Sequence, residues 1–296
     1  MANRRVLIKR RKAVRNIRKI TRTMQLIATA RFQAALNRAT ATKPYADKLA
    51  QLVASVSQGT AVVRHPLLLT ASQVRRGALV VITSNRGLCG GYNASVLRLA
   101  VEHLNTQQQA RRDTEVYMAG KKGISYFKFL GRPVADRITD LGDTPQFDQI
   151  QPIADALMER FIRREIDSVH VAYVSFVSIG KQKPALIQLM PLTLHDRPRG
   201  QDVPPGPAAA ETQYEFSPSP AELLDELLPA TVRMRLFQCF TEALASEHIA
   251  RMVAMKAATD AANDMIKALT QKYNRARQTQ ITMELLDIVG GANALE

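Results

Sequence analysis

The C-terminal stretch decides the fold: residues 231–296 read TVRMRLFQCFTEALASEHIARMVAMKAATDAANDMIKALTQKYNRARQTQITMELLDIVGGANALE. They contain no proline, and no glycine before Gly290. Most of the residue types present are strong or moderate helix formers. At ~1.5 Å rise per residue, one unbroken helix here would be roughly 90 Å long. So long a helix needs a partner that runs beside it.

The other end of the chain offers a partner of comparable length. Residues 3–44 also lack glycine, and periodic sequence resumes up to Ser57, before Gly59. The pattern predicts an antiparallel coiled coil whose two helices form a left-handed shaft, with a kink or short break at Pro44. Apolar residues define the predicted seam of the first helix: Ile17, Ile20, Met24 and Ile27 at spacings of three, four and three, and Ala34 seven residues further on.

The C-terminal helix has a predicted seam of its own, rich in small residues. Its members are Val232, Leu236, Cys239, Ala243, Ser246, Ala250, Val253 and Ala257. Cys239 falls on this line, so we expect it in the core. Residues 273–280 are polar around most of the helix and must face another environment. Residues 281–295 become apolar again and are expected to extend beyond the first helix.

The middle of the chain alternates strand and helix patterns. Continuous apolar runs at residues 77–83 and 115–119 are typical of buried parallel strands, and residues 169–177 form the clearest strand. Residues 184–190 are its expected antiparallel neighbour. Helices are expected between the strands. The pattern predicts an α/β domain with a mostly parallel sheet flanked by helices.

The loop Gly87-Leu-Cys-Gly-Gly91 lies between a predicted strand and a predicted helix. That placement invites a phosphate-binding interpretation. However, the spacing matches neither the dinucleotide fingerprint nor the Walker pattern, so a tight turn with positive φ is favoured. The five histidines are scattered, and no metal-ligand cluster is visible. We therefore expect no catalytic residues, no cofactor and no metal.

The net charge of +15 is concentrated in one segment. Residues 1–46 contain no Asp or Glu but thirteen Lys and Arg residues. Three interpretations stay open for so basic a helix: a solvated face, a nucleic-acid-binding surface, or a surface for an acidic protein. No run of 18 apolar residues occurs, and Cys89 and Cys239 are expected to be free thiols.

Several motifs carry a resemblance to a known family. Residues 252–263, MVAMKAATDAAN, and residues 273–292, YNRARQTQITMELLDIVGGA, resemble the C-terminal signature of the rotary ATP synthase gamma subunit. Residues 20–31, ITRTMQLIATAR, resemble the N-terminal helix of that family, and residues 83–93, TSNRGLCGGYN, its strand-and-loop motif. The resemblance covers essentially the whole chain in order.

The resemblance implies a function that the residues alone do not give. In that family the two long helices form a central rotor shaft inside a ring of three α and three β subunits. The shaft turns with a membrane-embedded c-ring driven by protons, and its asymmetry changes the conformations of the catalytic β sites. The gamma chain has no active site. A basic coiled coil that binds nucleic acid is the alternative.

The resemblance also implies contacts at particular positions. Carried over by motif, the residues that meet the β subunits are Met24, Arg275, Arg277, Gln278 and Thr279. Tyr214, Glu215 and Phe216 are expected in the foot, against the epsilon subunit and the c-ring. The implied domains are an N-terminal shaft helix at 1–58, an α/β foot at 59–220 and a C-terminal shaft helix at 221–296.

Three departures from the family pattern qualify these expectations. Ser217 and Asn85 stand where the family commonly has acidic residues, and Pro229 predicts a kink in the second helix. The lack of a regulatory cysteine pair predicts no thiol control of rotation. Because no transit-like segment is seen, the expected location is the cytoplasmic face of a bacterial cell membrane, with attachment only through the complex.

Overall fold

The computed structural model describes residues 4–58, 65–69, 73–142, 144–192 and 220–293. Two long helices, α1 (Arg4–Gln58) and α5 (Pro220–Asn293), enclose the rest of the chain in sequence. α1 ends immediately before Gly59, as predicted. Pro44 lies inside α1 without breaking it, so the predicted short break is wrong. Pro229 likewise lies inside α5, and the kink expected there stays a prediction.

The segment between the two helices forms the predicted α/β arrangement. Its strands are β1 (Arg76–Ile82), β2 (Asp113–Ala119), β3 (Asp136–Ile138), β4 (Ser168–Ser178) and β5 (Lys181–Met190). Its helices are α2 (Tyr92–Gln109), α3 (Lys121–Phe129) and α4 (Phe147–Ile162), with a short 3-10 helix at Pro66–Leu68. The sheet order is β3-β2-β1-β4-β5, parallel except for β5. The predicted parallel sheet and its antiparallel neighbour are both confirmed.

By packing, the chain forms two compact units: residues 1–30 with 251–296, and residues 31–250. In the second unit, alternate residues of the central strands β1 and β4 enter different cores, as the period-two geometry of strands requires. One core joins Val80 and Val171 to α4 and to the first half of α5. The other joins Val81 and Ala172 to α2 and α3. The sheet is therefore covered on both faces, which explains its continuous apolar strands.

The first half of α5 is buried on nearly all sides instead of along the single seam predicted, because it packs into the core of the α/β domain. Val232, Leu236, Cys239, Ala243 and Ser246 are all buried. Burial, and next the carboxylate of Glu242, raise the pKa of the Cys239 thiol, which keeps it protonated. Both cysteines are free and buried. Cys239 is thus a core residue, as predicted.

Two histidines meet on one face of the sheet. The rings of His103 on α2 and His170 on β4 have centroids 4.9 Å apart. Burial, and then the neighbouring His103 and Arg112, lower the pKa of His170 from 6.5 to about 4. As pH falls, the His170 imidazole is therefore protonated at a higher pH in the unfolded chain than in the folded chain.

We expect acid to destabilise the α/β domain through His170. The free energy of unfolding should fall as pH drops below 6.5 and continue to fall until about 4, by up to about 3 kcal/mol in all. A His170→Gln variant should lack this part of the pH dependence. Urea unfolding of both proteins across this pH range checks the prediction, and parallel curves for the two would contradict it.

Candidate interaction surface

The unit formed by the two terminal helices has a narrow seam of small and medium side chains. From α1, the buried residues recur every seven positions: Leu7, Val14, Thr21 and Ala28. From α5, the seam residues are spaced alternately four and three positions apart. Met255, Thr259 and Ala262 are buried, and Ile266, Leu269, Tyr273 and Ala276 are half-buried. These are coiled-coil periods, so the predicted class of helix pair is confirmed.

The predicted identity of the seam residues is wrong for this unit. Ile17, Ile20 and Ile27 are 52%, 59% and 48% exposed, and Ala34 is also exposed. On α5, Val253 and Ala257 are exposed instead of buried. On α1 the prediction favoured isoleucines, whereas the observed seam places Thr21 and Ala28 opposite α5, and their small size lets the two helix backbones approach closely. The isoleucines are left on the outer surface.

Three contacts between the helices show their direction. The Thr259 hydroxyl donates to Thr21 Oγ1 at 2.8 Å, and Arg18 Nη1 donates to Asn263 Oδ1 at 3.3 Å. The guanidinium of Arg11 lies 4.9 Å from the centre of the Tyr273 ring, which is cation–π geometry. As residue numbers fall along α1 they rise along α5, so the predicted antiparallel pairing is confirmed.

The Thr21–Thr259 hydrogen bond lies within the seam and should fix its register. Each hydroxyl is also placed to donate to its own helix, Thr21 to Arg18 O and Thr259 to Met255 O, so loss of one partner leaves the other satisfied. We expect Thr21→Val and Thr259→Val each to lower stability by about 1 kcal/mol or less, with a coupling energy of about 0.5–1 kcal/mol. A double-mutant cycle by thermal unfolding measures that coupling, and strict additivity would contradict it.

The outer surface of the α1 segment is strongly basic. Between Arg4 and Arg22 there are ten Lys and Arg residues, of which all but Arg11 are exposed. No acidic residue lies on this segment to neutralise them. Such a surface attracts anionic partners and repels cationic ones over about a Debye length, ~8–10 Å in physiological salt.

The sequence-predicted contact residues lie where a partner could reach them. Arg275, Arg277, Gln278 and Thr279 are exposed on α5, and Met24 is half-buried on α1. The Thr279 hydroxyl donates to Arg275 O within the helix, so the outward polar groups of this segment are chiefly the two arginines and Gln278. Tyr214, Glu215, Phe216 and Ser217 lie outside the described residues.

The end of α5 carries an unusual number of exposed apolar side chains. Every residue from Ile281 to Gly291 is exposed. Six large apolar residues in this segment have exposed fractions between 47% and 73%: Ile281, Met283, Leu285, Leu286, Ile288 and Val289. Contiguous apolar surface of this kind marks an interaction site. Sequence reasoning found this segment because its composition changes abruptly after Gln280.

Hydrogen bonds between its flanking residues close the Gly87–Gly91 loop at its base. Asn93 accepts from Ser84 N at 3.0 Å and donates to Ser84 Oγ at 2.8 Å. Leu88 has a φ of 62° and Gly90 a φ of 56°, so the favoured prediction of a tight turn with positive φ is confirmed. Asn85, which departs from the family pattern, donates to Leu141 O and accepts from Lys121 N. It thereby ties the loop to the start of α3.

Among the residues that the structure describes, no group of three or more His, Cys, Asp and Glu side chains could hold a metal ion. Among the same residues, no helix is both long enough and apolar enough to cross a bilayer.

The fold and surface together define a class of protein that acts through the contacts of a long antiparallel helix pair joined to an α/β domain.

Comparison with known proteins gives the family. The family model described as ATP synthase matches residues 3–295. The ATP synthase gamma chain of Rhodopirellula baltica is 42% identical over 297 residues, with 100% of each chain covered. The ATP synthase gamma chain of Leptospira biflexa is 40% identical over 295 residues, again with full coverage of both.

Solved structures share the fold. A chain in the Euglena gracilis mitochondrial ATP synthase structure of OSCP, F1 and c-ring has a TM-score of 0.66 and 18% identity, covering 99% of this chain and 94% of that one. A chain in the central stalk and c-ring structure of Tetrahymena thermophila mitochondrial ATP synthase has a TM-score of 0.58 and 18% identity. The match covers 81% of this chain and 99% of that one.

The chain belongs to the ATP synthase gamma family. It is the rotor shaft subunit of an ATP synthase and has no active site of its own. The basic helix is therefore part of a rotary machine, and the nucleic-acid alternative is not needed to account for its charge.

Proposed function

We propose that this subunit acts on the catalytic β subunits through two surfaces of its helix pair. The first is the basic face of residues 4–22, together with Met24. The second is the polar segment that carries Arg275, Arg277, Gln278 and Thr279. The observation that carries the proposal is that nearly all of these side chains are exposed on the outer surface of the helix pair, with Met24 and Arg11 half-buried. Acidic loops on β would supply the negative charge that residues 4–22 lack.

Coupling requires that each orientation of the shaft contact each β conformation differently. A ligand or partner shifts a conformational equilibrium only by its differential affinity for the two states. The helix pair is suited to this because its outer surface changes around and along its length. Basic residues cover α1, exposed isoleucines interrupt them at Ile17, Ile20 and Ile27, and the end of α5 is apolar. Rotation would therefore present different surfaces to one β subunit in turn.

We infer a division of the chain into three segments for this task. Residues 1–58 and 221–296 would serve as the shaft, and residues 59–220 as the foot. Within the foot, Tyr214, Glu215 and Phe216 would contact the epsilon subunit and the c-ring. The α and β subunits would surround the shaft, and the complex would hold this peripheral subunit at the cytoplasmic face of a bacterial membrane.

Co-expression of the tagged chain with the α and β subunits of its own organism tests the proposal. We expect a complex containing all three subunits, with ATPase activity in the complex and none in the isolated chain. Substitution of glutamate for Arg15 and Lys19, both exposed, should reduce co-purification, because it places negative charge against acidic loops. Unchanged recovery at both low and physiological salt would contradict the proposed basic contact surface.

A further inference from the structure

A row of arginines lies along one edge of the parallel sheet. Because β1 to β4 are parallel, the segments that lead into them meet at the same edge, which is the amino-terminal one. Arg76 begins β1 and is paired in register with Asp113, and the neighbouring Gly77 is paired with Ser168. Six arginines of this edge are named here the arginine edge: Arg75, Arg76, Arg111, Arg112, Arg132 and Arg164. The adjacent Arg163 is not included, because it pairs with Glu159.

The arginine edge has an excess of positive charge, even though Asp113 and Asp136 begin β2 and β3 at the same edge. Five of its side chains are exposed, and Arg132 is half-buried. Their side-chain hydrogen bonds go to neutral groups: Arg76 donates to Arg164 O at 2.7 Å, and Arg132 to Asn105 Oδ1 at 2.6 Å. Among the described residues, none of the six forms an ion pair with a carboxylate. Asp167 lies nearby, but its Oδ2 accepts the backbone N–H groups of Arg75 and Arg76.

Two of these arginines occupy backbone positions that favour glycine. Arg111 and Arg164 follow the ends of α2 and α4 with φ values of 55° and 60°. At the equivalent position after α3 the chain has Gly131, with a φ of 65°. A left-handed residue after a helix is usually glycine, because a side chain there is strained. The helix dipole favours a cation near the C-terminal end of a helix, but a cation in the last turn would satisfy it without that strain. The helix dipole also does not account for Arg75 and Arg76, which lead into a strand.

Exposed apolar side chains accompany the arginines. Phe129 at the end of α3 is 85% exposed, more than any other large apolar residue described, and Leu130 follows it at 40%. Ile162 at the end of α4 is 49% exposed and Leu69 is 42% exposed. Leu69, Ile162 and Arg164 line the same shallow depression. Exposed aromatic and aliphatic residues beside arginine are the composition of protein interfaces.

We propose that the arginine edge is a docking surface for another protein, namely a segment with clustered carboxylates around an apolar side chain. The guanidinium fork binds carboxylates in bidentate pairs. Aromatic residues and arginine are enriched at protein interfaces, so the exposed Phe129 beside these arginines favours a protein partner over an anionic membrane. The strain at Arg111 and Arg164 is the cost of placing guanidinium groups there. The surface is separate from the helix-pair contacts proposed above.

Photo-crosslinking in the assembled ATP synthase tests the proposal. A benzoylphenylalanine residue replaces Phe129 in the full chain within the membrane-bound complex, and crosslinked peptides are identified by mass spectrometry. We expect a peptide of another subunit that contains at least two Asp or Glu residues. The control replaces Ile179, which is 59% exposed at the β4–β5 turn, at the other end of the sheet; it should not yield that peptide. Crosslinks to lipid alone, to nucleic acid alone, or to nothing overturn the proposal.

A double substitution at the strained positions separates binding from folding. Arg111→Gly with Arg164→Gly should leave the thermal midpoint of the isolated chain unchanged or raise it by about 1–4 °C, because the left-handed strain is relieved. The crosslinking yield at position 129 should nevertheless fall at least tenfold. Arg98→Ala, which removes an exposed charge from the middle of α2, is the matched control and should leave the yield unchanged. A yield that the double substitution does not change overturns the proposal.

Discussion

Alanine in place of Gly120 should destabilise the α/β domain by about 4 kcal/mol or more. Gly120 has a φ of 93°, and a Cβ atom added there would lie 2.2 Å from the carbonyl oxygen of Thr83. That oxygen belongs to the backbone just beyond β1, so no side-chain rotation can relieve the clash. The same contact region binds β1 to α3, because Thr83 Oγ1 donates to Ala119 O and accepts from Gly123 N.

Two other glycines provide graded controls for Gly120. Gly131 has a φ of 65° but nothing within 4 Å of an added Cβ, so Gly131→Ala should cost only about 1 kcal/mol. Gly180 has open space and no left-handed backbone, so Gly180→Ala should be nearly neutral. Thermal or urea unfolding of the three variants measures the loss of stability in each and so ranks them. Equal losses at Gly120 and Gly131 would show that backbone strain, not the clash with Thr83, sets the cost.

Simultaneous replacement of Arg277 and Gln278 by alanine should reduce the coupled activity of the assembled complex at least tenfold. If each side chain makes one hydrogen bond to an acidic loop of β, the lost contacts amount to about 3 kcal/mol, and 1.4 kcal/mol is already a factor of ten. The stability of the isolated chain should change by less than about 0.5 kcal/mol, because both side chains are exposed.

A neighbouring pair on the same helix is the matched control. Gln271 and Lys272 are also exposed, and they have the same pairing of an amide with a cation. Their double alanine variant should keep most of the coupled activity if the contact is specific to residues 275–279. Proton-driven ATP synthesis in reconstituted vesicles measures coupling, and thermal unfolding of the isolated chain measures stability. A large fall in stability for Arg277→Ala with Gln278→Ala would place these residues in the packing of the helix pair instead.

The secondary structure of the α/β domain followed from sequence because its signals are local. Apolar runs, glycines and turn residues marked β1, β2 and β4 to within two residues of their ends. Pro44 misled the prediction, since a proline need not break a long helix that tertiary contacts support. The helix seam was also wrong, because Ile17 and Thr21 can both satisfy a helical period. Which of them faces the partner depends on how closely two backbones approach, and that is a property of both helices together.

The interaction surfaces were only partly accessible to sequence reasoning. The change from polar to apolar residues after Gln280 is visible in one segment, so the exposed end of α5 was found. The arginine edge was missed because its members come from four separate connections. Only the parallel order of the strands brings Arg76, Arg112 and Arg164 to one edge. A doublet of arginines before each of three strands was the available signal.

The pairing of the chain's two ends has a consequence for its synthesis. Thr21 and Thr259 are separated by 238 positions along the chain. A ribosome adding about 5–20 residues per second needs roughly 10–50 s to make that interval. During this time the first helix exists without the second, with its seam residues exposed to solvent. The absence of acidic residues before position 47 then has a benefit besides the proposed contact with β. Mutual repulsion among like-charged nascent chains keeps these unpartnered helices apart until the C-terminal helix of each chain has been synthesised.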